Sequence, residues 1–329
     1  MSNVIQFKSR IQLLDALRGF ALCGIIFMNI PTLLKIPWET LSIEKPLYDT
    51  FNILLKTKFY TIFSFLFGVG TYIFMQNAKH KTERTYLLYI KRLLFLFTAG
   101  LVHWYFHPGE ALSMYGFLGF LLIPAFRLKP IFNFIIVIGC LSMTGVIASS
   151  QFSILCMFYL GYWVAQIGFF TQIKRYRILL TCLIILCGTG AYYSNMYLIP
   201  AYLKTNEYFK ILALTGIVQS IGYMSIIVLL YDTQSFFRKS FNIFAPMGQI
   251  AFTNYIMQTV LILVIGHIYQ LFETTYFSTA VWISTGILLF QLIYSAVYVR
   301  YFSIGPLEKV WRTFTYSPFL LNKKNHKRT

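Results

Sequence analysis

Asp15 and Arg18 stand three residues apart in an otherwise apolar run, so a helix there carries both on one face, where they can neutralise each other. Charges inside an apolar span are costly and need a reason. Two readings are open: a structural ion pair near the end of a span, or an arginine that binds an anionic headgroup or phosphate. Asn29 follows Arg18 by eleven positions, which is about three helical turns and about 16 Å of rise. The two side chains therefore share a stripe. It either lines an internal crevice or supplies an interhelical hydrogen bond at Asn29.

A second group lies in Leu101-Val102-His103-Trp104-Tyr105, followed by His107 and Glu110. A neutral imidazole beside a carboxylate is the usual way to move a proton near neutral pH, with Glu110 orienting or polarising His103. The plainer reading is an interfacial histidine bonded to a neighbouring helix, next to the aromatic pair Trp104 and Tyr105. His267 has the same plain reading and less context, while His80 and His326 fall in basic, solvated segments.

Polar side chains recur in Gly248-Gln249-Ile250-Ala251-Phe252-Thr253-Asn254-Tyr255 and at Gln258. Gln249, Thr253 and Asn254 are expected to face inward together, as interhelical glue or as part of a polar cavity. Gly68 and Gly70 sit within Phe65-Leu66-Phe67-Gly68-Val69-Gly70, which permits close helix packing or a bend. It is no phosphate loop, because no strand precedes it and no Lys-Ser/Thr follows. The five cysteines, Cys23, Cys140, Cys156, Cys182 and Cys187, lie inside apolar runs without Cys-x-x-Cys or histidine at ligand spacing, so neither disulfides nor a metal site is expected.

The elements that must position these groups are helices in lipid. With 57% hydrophobic and 12% charged residues over 329, the chain has too little polar surface to cover a soluble globule. Runs of about 17–25 apolar residues match the length a helix needs to cross the hydrocarbon. Ten are expected: Ile11–Thr32, Phe59–Gln76, Tyr89–Phe106, Ala111–Phe126, Ile131–Ser149, Phe152–Phe170, Ile178–Leu198, Ile211–Tyr231, Gly248–Gln270 and Phe277–Val299. The first run is long enough to remain as a helix and lacks a small-residue cleavage site. The expected fold is an all-α, polytopic membrane protein forming a single membrane-embedded domain over residues 1–329.

Sorting the lysines and arginines to alternate sides of ten spans gives 21 on the side of both termini and six on the other, with Arg18 inside the first span. Positive charge concentrates on the cytoplasmic side, so both termini are expected there. This placement accounts for the net charge of +18 without a nucleic-acid partner, since the charges form short clusters between apolar runs and not a basic face on a folded core. Residues 305–329 form an amphipathic segment and a basic tail. Gly305-Pro306 starts a short interfacial helix with Leu307, Val310, Trp311 and Phe314 on one face, and the tail is placed to touch anionic headgroups.

Several motifs together resemble the YeiB-like bacterial membrane proteins, a family labelled a domain of unknown function. They are Leu14-Asp15-Ala16-Leu17-Arg18-Gly19-Phe20-Ala21 with Gly24 and Asn29-Ile30, Lys58-Phe59 with Phe63 to Gly70, His103 to Tyr115, Gly248 to Gln258, and Gly305-Pro306-Leu307-Glu308 with Trp311-Arg312. They run from end to end in the expected order. The YeiB-like pattern has a histidine at the end of the third helix, then Asp-Ile-Leu and a tyrosine, matched by His103, Glu110-Ala111-Leu112 and Tyr115. More remotely, the chain is similar to transmembrane acyltransferases, namely acyltransferase family 3 and the heparan-α-glucosaminide N-acetyltransferase type. The first of these carries Arg-x10-His on its first helix; here Arg18 is kept but Asn29 replaces the histidine, and an amide cannot act as a base. The second places its histidine in the loop after the first helix, where the Leu33–Lys58 loop has none.

The resemblance implies transfer of an acyl group from cytoplasmic acyl-CoA to a hydroxyl or amine on the far side, on a glycan or lipid-linked acceptor. Arg18, with Asn29, would hold the co-substrate's phosphates, and His103 with Glu110 would activate the acceptor. Membrane lipids are the expected partners and the bacterial plasma membrane the expected location. Two other functions fit the same residues: a proton-coupled transporter or flippase using the Arg18, Asn29 and Gln249 stripe, or a non-catalytic protein supporting envelope integrity. The oligomeric state and the acceptor are not legible in the sequence.

Overall fold

Backbone N–H and C=O groups find no water in hydrocarbon, so a chain this apolar satisfies them within its own helices. A computed structural model describes residues 2–147, 150–202, 204–205 and 207–316. The expected basic tail, with Lys323, Lys324, Lys327 and Arg328, lies outside the described residues. Those residues form helices and turns, without a strand among them, as an all-α polytopic membrane protein does.

Eight helical segments among the described residues are long and apolar enough to cross a membrane: Gln12–Leu33, Lys45–Lys79, Thr85–Phe106, Pro130–Ile147, Ile173–Tyr202, Tyr208–Thr233, Ala251–Ile268 and Phe277–Tyr301. Each overlaps one of the ten expected runs. The remaining two are shorter helices. Between Ala111 and Phe126 the chain forms Leu112–Phe120 and then tightens into a 3-10 turn, Ile123–Phe126, at Pro124, which has no N–H to continue an α-helix. Between Phe152 and Phe170 it forms Ser150–Gln166, which stops where Gly168 takes a φ of 73°.

The chain divides into two compact units. One runs through Phe63 and resumes from Thr171 to Gly305; the other holds Ser64–Phe170 and the segment from Pro306 on. In the first, the Ser2–Leu33 helix crosses the short Ala245–Gln249 helix so closely that only glycine fits. A Cβ on Gly19 would lie 2.0 Å from Phe244 O, and one on Gly248 would lie 1.8 Å from Asp15 O. Beside this crossing, buried amides tie Ala251–Ile268 to Phe277–Tyr301. Asn254 Nδ2 donates to Ser295 Oγ at 2.9 Å, Gln291 Nε2 to Asn254 O at 2.9 Å, and Gln258 Nε2 to Gln291 Oε1 at 3.1 Å. Glu44 Oε2 accepts from Ser278 N at 2.9 Å, pinning the start of Phe277–Tyr301.

The second unit repeats the glycine device. A Cβ on Gly68 would lie 2.0 Å from Phe158 O, and one on Gly161 2.0 Å from Phe65 O, so the Gly68 motif is a packing site. Asn133 Nδ2 donates to Gln166 Oε1 at 2.8 Å, joining Pro130–Ile147 to Ser150–Gln166. The Pro306–Thr315 helix begins at its proline as expected. Its Trp311 is more than a surface anchor. The indole Nε1 donates to Arg92 O at 3.0 Å, and the Arg92 guanidinium stacks 3.8 Å from the indole ring, so the helix is docked on Thr85–Phe106.

Candidate functional site

The densest chemistry lies where Thr85–Phe106 ends. His103 is in the last turn of that helix, and His107 N closes the final hydrogen bond to His103 O at 2.9 Å. Pro108 and Gly109 then reverse the chain. Gly109 takes a φ of 91°, open to glycine but strained for residues with a Cβ, and Glu110 N bonds back to His107 O at 3.2 Å. The returning Leu112–Phe120 helix runs close along the one it left, because a Cβ on Gly100 would lie 2.2 Å from Ser113 N. The tight turn and the close crossing together bring Glu110 onto His103.

The geometry sets a buried imidazole beside a buried carboxylate. His103 Nδ1 lies 3.6 Å from Glu110 Oε2, within ion-pair range, and the two residues are 4% and 6% exposed. Glu110 is fixed in turn by the first N–H groups of the helix it precedes: Leu112 N donates to Oε2 at 2.5 Å and Ser113 N to Oε1 at 2.8 Å. Burial works to raise the Glu110 carboxyl, but the nearby His103 imidazole and the hydrogen bonds from Ser113 and Leu112 outweigh it and hold the group below its ordinary value. A carboxylate so held keeps its charge and can anchor an imidazole at one nitrogen, leaving the other for proton transfer.

His107 completes the cluster. It is buried, its ring meets that of His103 edge to face with centroids 5.5 Å apart, and its Nδ1 has no hydrogen-bond partner among the described residues. Burial first and the His103 imidazole second push it down to about 4, with Glu110 opposing. Its i, i+4 spacing from His103 signals this proximity in the sequence. Tyr115, one turn into Leu112–Phe120, is buried, shares a 2.7 Å hydrogen bond with Ser64 Oγ and packs edge-on against Phe158.

The other expected site residues belong to the first unit. Arg18 Nη1 donates to Asp15 Oδ1 at 2.5 Å, the pairing their spacing implies, and both side chains remain partly exposed. Asn29 is half-buried on the same helix. Thr253 and Asn254 are buried. Gln249 does not join them: the helix breaks at Ile250, whose φ and ψ are −113° and 42°, and Gln249 faces outward with Nε2 on Ser303 O at 2.8 Å. The expectation of a shared inward face therefore fails at that residue, because a one-residue interruption re-phases the turns on either side. His267 is exposed against Phe272. Among the described residues no group of three metal-ligating side chains comes together.

Comparison with known proteins agrees with the motifs. An uncharacterized 39.9 kDa protein in amylase 3'region of Bacillus acidopullulyticus is 33% identical over 344 residues, covering 97% of this chain and 99% of the relative. The family model described as protein of unknown function DUF418 matches residues 164–318. The chain belongs to this YeiB-like family. Uncharacterized protein YxaH of Bacillus subtilis strain 168 is 26% identical, with 94% of this chain and 95% of that protein covered. Uncharacterized protein YeiB of Escherichia coli strain K12 is 24% identical, with 92% and 95% covered. No solved structure matches.

Proposed function

We propose that this YeiB-like protein is a membrane acyltransferase in which His103 is the general base. The observation that carries the reading is the buried His103–Glu110 pair, with Glu110 held by two backbone N–H groups. His103 takes the proton of an acceptor hydroxyl or amine at the nitrogen that does not face Glu110, as the acceptor attacks the carbonyl of an acyl thioester. Collapse breaks the C–S bond, and the imidazolium returns its proton to the departing thiolate. Glu110 positions the ring and stabilises its protonated form. The donor on this reading is acyl-CoA, and the acceptor a glycan or lipid.

Arg18 serves in the first unit as a phosphate contact. Its guanidinium has five N–H donors, and Asp15 engages it through one nitrogen. Changing Arg18 to Ala is expected to raise KM for acyl-CoA several-fold with little change in kcat. The sorting of positive charge supports a bacterial plasma-membrane protein with both termini cytoplasmic, the side from which acyl-CoA is supplied.

The test is a label-transfer assay. Membrane vesicles from cells expressing the protein, given acetyl-CoA labelled in the acetyl group, are expected to move label into a lipid or glycan fraction faster than vesicles lacking it. If label stays on the thioester or appears only as free acetate in both preparations, and longer acyl-CoA donors behave alike, the proposal fails.

A further inference from the structure

Lys58 opens the Lys58–Lys79 helix and has 0% of its surface exposed. Among the described residues its Nζ makes one hydrogen bond, to Asn52 O at 3.2 Å. None of the ion pairs among the described residues includes it. Of the acidic groups in the preceding segment, Asp49 pairs with Lys45, Glu44 accepts from Ser278 N, and Glu39 is exposed and forms none of the ion pairs among the described residues. The nearest charge along the chain is another cation, the half-buried Lys56. An ammonium has three donors and is strongly hydrated, so a buried one with a single carbonyl and a like charge nearby lacks most of what water gave it.

The backbone holds this arrangement in place. Ser220 Oγ donates to Lys58 O at 2.9 Å, locking the residue against the Tyr208–Thr233 helix. Thr57 sits at a φ of 70°, and a Cβ on Gly216 of that helix would lie 2.3 Å from Thr57 Oγ1. Among the described residues, Lys58 and the neighbouring Lys56 thus form two cations without a counter-charge. A phosphate or phosphodiester group offers the missing negative charge and several acceptor oxygens for the free ammonium donors.

We infer that Lys58, with Lys56 beside it, is the recognition point for a phosphate-bearing anion, drawn from a lipid headgroup or from solution. This stands apart from the acyl-transfer reading, since it rests on neither His103 nor Glu110.

The full-length protein in nanodiscs tests it, with melting temperature as the readout for wild type, Lys58→Met and Lys58→Arg. One arm uses phosphatidylcholine discs with sodium phosphate against sodium chloride at equal ionic strength. The other replaces part of the phosphatidylcholine with phosphatidylglycerol. Wild type and Lys58→Arg are expected to gain a few degrees in at least one arm, and the responding arm identifies the source. Lys58→Met is expected to melt above wild type in chloride and phosphatidylcholine, where the uncompensated charge is gone, and to gain nothing from either anion. Any of three results overturns the inference: Lys58→Met fails to fold or melts below wild type, its anion response equals that of wild type, or wild type responds in neither arm.

Discussion

Glu110 joins two neighbours through one carboxylate: His103, which it faces within ion-pair range, and the first turn of Leu112–Phe120, which it caps. The hydrogen bonds that lower its pKa stabilise the fold while the carboxylate is charged, and that stability is lost as pH falls through its folded value. His107 acts in the same direction by a different route. Its folded value of about 4 lies below the ordinary 6.5, so the unfolded chain takes up a proton in that window and the folded chain does not. Stability therefore falls as pH drops from about 6.5 to about 4, by at most about 3 kcal/mol from this group. Replacing His107 with Phe is expected to flatten the melting-temperature profile across that window, and parallel profiles for the two proteins would contradict it. The facing of His103 and Glu110 was legible in the sequence, because a four-residue turn containing Pro108 and Gly109 leaves a carboxylate few other places to go. The burial of His107 and Lys58 was not legible, since burial depends on which helices close over a residue.

At the scale of elements, helices were readable because lipid admits little else, whereas their interruptions were not. The break at Ile250 turns Gln249 away from Asn254, and no proline or glycine marks that position. The docking of Pro306–Thr315 was half legible: amphipathicity announced the helix, but not that Trp311 would pair with Arg92, more than two hundred residues earlier. Changing Trp311 to Ala is expected to free this helix, seen as faster proteolysis after residue 305 with the remaining helices intact; unchanged cleavage would contradict the docking. The Gly109 turn has its own test. A Gly109→Val substitution forces a β-branched residue to a φ of 91°, a strain of about 1–3 kcal/mol, and is expected to lower the melting temperature and impair the His103–Glu110 pair together. A variant with wild-type stability would show that the turn adapts.

For the whole molecule, the proposed topology rests on the distribution of lysine and arginine, since loops are sorted by charge as the chain inserts. Reporter fusions at the two termini are expected to place both in the cytoplasm, and a periplasmic signal from either would break the ten-span scheme. On the proposed acyl-transfer reading, the phosphate contact Arg18 lies in one compact unit and the base with its carboxylate, His103 and Glu110, in the other. The proposed chemistry therefore rests on one imidazole. In the labelled acyl-transfer assay, His103→Gln is expected to reduce the rate at least about a hundredfold, with a melting temperature close to that of wild type. A His103→Gln protein that transfers acyl groups as fast as wild type would contradict the assignment of the base.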